Sequence, residues 1–130
     1  MPMSPSSITI TNAGLNLLKD AMSGANTGVI KYVALGTSST TPTVGDTKLG
    51  AESYRKLVTS YTNGGSPGEL LINAYIAPAE DVGDPIAEIG FFGGGSATSA
   101  ANSGVLLARG LYSHTKTNVE SLQVQLDITI

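Results

Sequence analysis

The chain has 130 residues, a length typical of one domain, and carries a net charge of −3 with a sequence pI near 4.9. Its seven basic residues are too few and too scattered to grip nucleic acid through phosphate contacts, and the lack of cysteine excludes disulfides and thiolate zinc sites. Ser, Thr and Gly supply 44 residues, whereas charged residues supply only 13%, against about 25% in average proteins. A surface of this composition favours close packing against neighbouring molecules rather than catalysis.

The first residues differ in composition from the rest of the chain. Residues 1–7 are rich in Pro and Ser and are predicted to form a flexible arm, followed by a single structural domain over residues 8–130. The arm lacks the basic and apolar regions of a secretory signal, and no apolar run reaches the ~20 residues of a membrane span. We therefore expect synthesis in the cytoplasm and no membrane partner.

A helix is predicted after a short strand at residues 8–10. Thr11 or Asn12 supplies an N-cap oxygen, and Gly24 is a natural C-terminal stop. The apolar stripe expected to face the rest of the fold consists of Leu15, Leu18 and Met22.

The remainder of the chain alternates with the period of a β-strand. Residues 37–47 are predicted to be a loop, 49–52 a turn of helix, and 63–68 the turn of a hairpin. Strands are predicted at 30–36, 55–61, 69–76, 86–92, 105–112 and 121–130. The fold class expected is therefore mainly β (α+β), an antiparallel sheet or β-sandwich with one N-terminal helix packed on it.

The side chains that build catalytic sites are scarce, so we expect no catalytic residues, no cofactor and no enzyme activity. His114 is the only histidine and lies in a polar segment, without a Gly-x-Ser-x-Gly elbow to carry a nucleophile. This context is typical of a turn histidine rather than of a triad member, although a hydrolase using His114 stays open. The glycines at 93–95 lack either phosphate-binding fingerprint.

One acidic segment offers candidate metal ligands. Glu80, Asp81 and Asp84 lie close together before the strand at 86–92, but their spacing differs from that of a calcium-binding loop. A solvated loop without metal is the interpretation adopted, with an ion site or an acid–base pair for sugar cleavage as alternatives.

Phe91, Phe92, Arg109 and Tyr112 are the candidate interface residues. The adjacent phenylalanines face opposite sides of a strand, so either both faces are covered or one ring anchors a subunit contact. Arg109 lies on an otherwise apolar face and is predicted to pair with a carboxylate, with Glu88 as the natural partner, or to reach across an interface. The Gly- and Ser-rich tract at 93–104 is predicted to be a mobile hairpin tip or a loop that orders against a partner.

Several of these segments together resemble a known family. They are the sequence ITITNAGL at 8–15 opening into a helix, IKYVALG at 30–36, Leu49-Gly50 with Arg55, and EIGFF at 88–92 ahead of Ala108-Arg109. This ordered set is similar to the virion-proximal N-terminal domain of bacteriophage tail-collar fibre proteins and related small phage structural proteins. The similarity runs from about residue 8 to the C-terminal strand.

The resemblance implies a non-enzymatic virion component assembled in the host cytoplasm. It would form a homo-oligomer, a trimer or a higher ring, and dock to other tail, baseplate or neck proteins, with no catalytic residues to carry over. Because no repetitive shaft follows, a connector, cap or decorating subunit is expected. Two alternatives stay open: a capsid decoration protein, and a carbohydrate-binding adhesin module that stacks sugars on tyrosines. These tyrosines are Tyr54, Tyr61, Tyr75 and Tyr112.

Overall fold

A computed structural model describes the backbone of residues 2–3 and all of residues 8–130. Only Pro2–Met3 of the predicted arm is described, so the arm itself stays a prediction. No helix in the described part of the chain is long and apolar enough to cross a bilayer. The elements are β1 (Pro2–Met3), β2 (Ile8–Ile10), α1 (Asn12–Ser23), β3 (Ile30–Gly36), β4 (Glu52–Leu57), β5 (Ser60–Asn63), β6 (Glu69–Ile76), β7 (Pro85–Gly93), β8 (Val105–Thr115) and β9 (Leu122–Thr129).

The strands form two sheets. The first has four strands in the order β1-β9-β6-β5, and the second has five in the order β2-β8-β7-β3-β4. Neighbouring strands pair antiparallel, except for β1, which runs parallel to β9. The predicted hairpin joins β5 to β6, and the predicted fold class, mainly β with one N-terminal helix packed on the sheets, is confirmed.

The chain crosses between the sheets where a single strand was predicted. Residues 55–61 were expected to form one strand, but β4 ends at Leu57 in the five-stranded sheet and β5 begins at Ser60 in the other. The N–H of Val58 donates to the carbonyl of Lys31 (2.8 Å), while the N–H of Thr59 donates to the carbonyl of Asn73 (2.7 Å). Adjacent amides thus bond to opposite sheets. The turn of helix expected at 49–52 does not form.

Apolar residues of both sheets meet in one core. The alternation of β3, β7 and β9 places every second side chain in this interior, as a sandwich requires. Its fully buried members include Val33, Leu35, Ile72, Ile76, Ile89, Phe91, Leu122 and Val124.

The helix is fixed to a bulge in β8. The strand register between β7 and β8 shifts between Phe91 and Phe92. The carbonyl groups of β8 at this bulge accept hydrogen bonds from the residue that begins the helix. The Thr11 hydroxyl donates to the carbonyl of Leu106 (2.5 Å), and the Thr11 N–H donates to that of Leu107 (3.0 Å). The same hydroxyl accepts from the Gly14 N–H, so Thr11 is the N-cap, and Gly24 ends the helix, both as predicted.

The face of α1 that packs is only in part the predicted one, because Leu18 is the one residue of the predicted stripe that packs against the core. Leu15 is 55% exposed and Met22 is 90% exposed, whereas Gly14 and Leu17 are buried. A Cβ on Gly14 would lie 2.5 Å from the Leu107 carbonyl oxygen, so only glycine allows this close approach of helix and strand. This contact rotates Leu17 into the core and turns the predicted stripe largely outward.

We expect substitutions in α1 to report which face is buried. Leu17→Ala removes a fully buried side chain and should lower the free energy of unfolding by about 2–5 kcal/mol. Leu15→Ala and Met22→Ala serve as controls and should change it by no more than about 0.5 kcal/mol. Urea titrations followed by circular dichroism measure all three. A loss at Met22 equal to that at Leu17 would contradict this packing.

Candidate functional site

The five-stranded sheet carries charged side chains on its outer face, away from the sandwich core. Glu88 on β7 lies opposite Gly36 of β3, and Arg109 on β8 lies opposite Gly90 of β7. A Cβ on Gly36 would lie 2.4 Å from a carboxylate oxygen of Glu88, so glycine provides the space that this carboxylate occupies. The loop at 37–51 covers the face, and Glu88 becomes fully buried.

The Glu88 carboxylate accepts four hydrogen bonds. Oε1 accepts from the Gly50 N–H (2.8 Å) and from Nε of Arg109 (2.8 Å). Oε2 accepts from the N–H groups of Ser38 (3.0 Å) and Ala51 (2.9 Å). Hydrogen bonds to a charged group contribute about 1.5–3 kcal/mol each. Glu88 therefore anchors both ends of the 37–51 loop to β7.

Arg109 joins this carboxylate to a second one. It is 2% exposed, and its Nη1 lies 3.3 Å from Oδ2 of Asp46. Partial burial opposes ionisation of Asp46, but hydrogen bonds from Thr43 and the Arg109 cation hold the pKa of Asp46 below its usual value. The predicted pairing of Arg109 with Glu88 is confirmed. We call Glu88, Arg109 and Asp46 the Glu88 cluster.

A second buried ion pair lies on the same face, on β4, which β3 separates from β7. Arg55 and Glu52 of β4 form a two-pronged pair, Nε to Oε2 and Nη2 to Oε1, each 2.9 Å long. Their side chains are only 4% and 2% exposed. The guanidinium carbon lies 4.3 Å from the centre of the Phe92 ring, close enough for a cation–π interaction. These three residues form the Arg55 cluster.

The Arg55 cluster holds the Gly- and Ser-rich tract at 93–104. Nη1 of Arg55 donates to the carbonyls of Thr98 and Ser103 and to the Ser103 hydroxyl, each at 2.9 Å. Glu52 accepts from the Asn102 N–H (3.0 Å). This tract is therefore bonded to its own chain through Arg55. The sequence pattern missed the cluster, because Arg55 and Glu52 are far in sequence from the loop that they hold.

The candidate interface residues fall into two groups. Phe91 and Phe92 are both 0% exposed, so the alternative of a strand covered on both faces describes this structure. In this conformation neither ring is accessible to a second molecule, and Arg109 is nearly as buried. Tyr112 is half-buried on β8, with its ring edge-on to His114. Their role at an interface stays a prediction.

The candidate metal ligands form hydrogen bonds and ion pairs with different partners. Glu80 bonds Nζ of Lys56 (2.5 Å), the Tyr54 hydroxyl (3.0 Å) and a backbone amide, and the Lys56 bond foremost lowers its pKa to about 2. Asp84 accepts from the Ser53 hydroxyl (2.6 Å). Over residues 8–130, no group of three or more His, Asp or Glu side chains is arranged to hold a metal ion.

Asp81 differs from its neighbours because it is partly buried in a left-handed turn, with φ of 53°. Burial, and then the nearby Asp84, raises its pKa to about 8, although Lys116 opposes this shift. Lys116 is itself buried and donates to the carbonyls of Pro78 and Thr117, both at 2.9 Å. Burial and the neighbouring carboxylate thus favour the protonated form of Asp81.

We expect Asp81 to make stability depend on pH. Its pKa rises from 3.8 unfolded to about 8 folded, so its stabilising contribution is complete below pH 3.8 and is lost as the pH rises through 8. Asparagine tolerates the left-handed backbone at this position. The variant Asp81→Asn should therefore raise the urea midpoint near pH 9 and weaken the dependence of that midpoint on pH. Asp20→Asn, at a partly exposed position on α1, is the control. Equal profiles for Asp81→Asn and the unchanged protein would contradict the assignment.

The interpretation of His114 as a turn histidine is wrong, because His114 lies within β8, near its end, and contacts a carboxylate. Its Nε2 is 2.8 Å from Oε1 of Glu120, and that oxygen also accepts from the Thr117 N–H (2.9 Å). The backbone bond from Thr117 and then the imidazole lower the pKa of Glu120. This arrangement ties the turn at 116–121 to β8.

The fold and these clusters define an antiparallel β-sandwich whose long loops are held down by buried arginine–carboxylate pairs. The carboxylate of Glu88 is saturated with donors, which suits anchoring rather than proton transfer. In comparisons with protein-family models, curated proteins and solved structures, no match to this chain was found.

Proposed function

We propose that this protein is a non-enzymatic structural component of a bacteriophage virion, part of the tail at the fibre, collar or baseplate, which self-associates and docks to other virion proteins. The phage and tail assignment rests on the sequence resemblance described above. The surface of the four-stranded sheet separately supports the proposal that the protein acts by assembling with other molecules.

The observation that carries the proposal is the outer face of the four-stranded sheet. We call it the polar face, and the strand registers place on it Ser60, Thr62, Glu69, Leu71, Asn73, Tyr75, Gln123, Gln125, Asp127 and Thr129. Most of these side chains are exposed. Amide and hydroxyl groups dominate, and Gln125 donates to Asn73 across the strands (2.8 Å).

The polar face carries few charged side chains. Glu69 and Asp127 are its only acidic or basic members, whereas the charged groups of the Glu88 and Arg55 clusters are paired inside the chain. An unpaired charge that becomes buried on assembly costs several kcal/mol and would recur in every copy of a symmetric particle. A hydrogen-bonding face with few charges avoids this cost.

The edges of the same sheet support assembly as well. All four residues of β5 are exposed at one edge. At the other edge, β1 covers β9 only at Gln123 and Val124, and no other strand among the described residues pairs along that side. Unpaired strand edges are templates for pairing with another chain.

Oligomeric state tests the proposal. Size-exclusion chromatography with light scattering should show a discrete oligomer at micromolar concentration. Placing a lysine on the polar face, in Thr62→Lys or Gln123→Lys, should shift it toward monomer. The matched variant Thr117→Lys, exposed in a turn away from that face, should not. A monomeric parent protein, or equal effects of all three lysines, would overturn self-association.

Location tests the virion assignment separately. Mass spectrometry of purified phage particles should detect the chain, and gold labelling should place it on the tail. Labelling on the head would favour a capsid decoration protein, and absence from particles would overturn a virion role.

Carbohydrate binding has one specific observation in its favour. Tyr75 is 47% exposed on the polar face, opposite Gln123 and next to the amide of Asn73 on that face, and a ring beside amides can stack and hydrogen-bond a sugar. Tyr61 is similarly exposed, whereas Tyr54 and Tyr112 are half-buried. Glycan-array binding that is lost in Tyr75→Ala and kept in Tyr61→Ala would support this second candidate.

A further inference from the structure

An open cavity of about 310 Å³ lies beside the Glu88 cluster. It is formed by the loop that covers the five-stranded sheet and by one residue of β8, and its lining is Thr40, Gly45, Asp46, Thr47, Lys48, Leu49, Gly50 and Arg109. Pockets for drug-sized ligands span about 300–1,000 Å³, so this cavity suits a small group.

Arg109 brings an incompletely used guanidinium group to this cavity. Nε is bonded to Glu88, and Nη1 reaches Asp46 at 3.3 Å, the longest contact of the Glu88 cluster. Nη2 is buried and has no hydrogen-bond partner among the described residues. Buried polar groups in proteins almost always have a partner, so a donor without one on a residue that lines a cavity points to an acceptor supplied from outside.

Lys48 adds a second cation. Lys48 is exposed, and its ammonium group forms no ion pair with any described residue. The lining therefore carries two positive side chains, Lys48 and Arg109, against the single negative charge of Asp46. The Glu88 carboxylate, bonded to Nε of Arg109, adds a second negative charge, so these four groups carry no net charge and Lys48 is the cation without an ion-pair partner.

From these features we infer that the cavity beside Arg109 and Lys48 binds a carboxylate group. A planar guanidinium donor matches a carboxylate oxygen, and the unpaired ammonium group of Lys48 supplies the positive charge that attracts a monoanion. The carboxylate can come from an acidic side chain of another polypeptide or from a free small acid. Since the site belongs to the isolated chain, the inference does not depend on the proposed virion role.

The first test is a titration of the full chain with sodium acetate, followed by ¹H–¹⁵N NMR at constant ionic strength with chloride as the reference anion. We expect saturable shifts confined to the amides at 45–50 and to Nε of Arg109. Shifts that do not saturate, that chloride reproduces, or that spread over the whole surface would overturn the inference.

Two exposed or partly exposed positions test the site without replacing Arg109 itself. Lys48→Gln should raise the dissociation constant by roughly 2- to 5-fold, the usual effect of one exposed charge pair. Asp46→Asn removes the internal competitor for Nη1 and should lower it by a similar factor. Lys19→Gln on α1 removes an equal charge far from the lining and should have no effect. Equal responses of Lys48→Gln and Lys19→Gln would contradict a built site.

A second arm separates the two sources of the carboxylate. A capped tripeptide with a central glutamate is compared with acetate and with the same peptide containing glutamine. Tighter binding of the glutamate peptide than of acetate supports a polypeptide source, and binding of acetate alone supports a free acid. If neither binds, the cavity holds solvent only and the inference is wrong.

Discussion

Glu88→Ala is expected to lower the free energy of unfolding by about 3–5 kcal/mol. The substitution leaves the Arg109 guanidinium buried without its main counter-charge, and removing one partner of a buried ion pair has a cost of this size. It also removes the acceptor of three backbone N–H groups, at Ser38, Gly50 and Ala51. Urea titration followed by far-ultraviolet circular dichroism measures the loss, since the chain has no tryptophan.

Two further measurements show that the effect arises from the Glu88 cluster. Hydrogen exchange at the amides of Ser38, Gly50 and Ala51 should speed up in Glu88→Ala beyond the change in global stability. In a double-mutant cycle, Glu88→Ala with Arg109→Met should cost less than the two single losses added, by about 0.5–3 kcal/mol. A single-variant loss below about 1 kcal/mol would contradict an anchoring role for Glu88.

Arg55→Ala is the second substitution with a large expected effect, also about 3–5 kcal/mol. It leaves the Glu52 carboxylate buried without its cation and uncovers the ring of Phe92. It also removes the donor to Thr98 and Ser103, so the loop at 93–104 should become a site of rapid cleavage by elastase, which prefers small residues.

Two controls accompany the Arg55 experiment. Arg55→Lys keeps the charge but lacks the planar two-pronged geometry, so we expect an intermediate loss of roughly 1–3 kcal/mol. Lys19→Ala removes an exposed cation whose pair with Asp20 is weak, and should change stability by about 0.5 kcal/mol or less. Unchanged elastase resistance in Arg55→Ala would mean that the loop is held by other contacts.

Local features of the sequence predict much of this fold. Thr11 and Gly24 define the ends of α1 because helix caps depend on one or two residues and their neighbours. The period-two pattern places most strands, including β9, and the Gly-rich turn joins β5 to β6. The pairing of Arg109 with Glu88 was also predictable, since an arginine on an apolar face requires a carboxylate.

The errors in the sequence prediction fall where distant segments meet. The buried face of α1 depends on how closely Gly14 approaches the carbonyl of Leu107, which no helical pattern encodes. The break between β4 and β5 depends on Val58 and Thr59 finding carbonyls in opposite sheets. The Arg55 cluster depends on a loop more than 40 residues away. Each is a long-range contact.

The sequence by itself determined that this chain forms a mainly β fold with one capped helix, a sparse supply of charge and a surface rich in short polar groups. Only the tertiary structure decided that two sheets form, that two arginines are buried under loops, that burial raises the pKa of Asp81, and that a polar sheet face and a cavity beside Arg109 stay open. The physical reason is that side-chain alternation records which residues turn inward, whereas burial of a charge depends on which distant backbone donors or acceptors close over it.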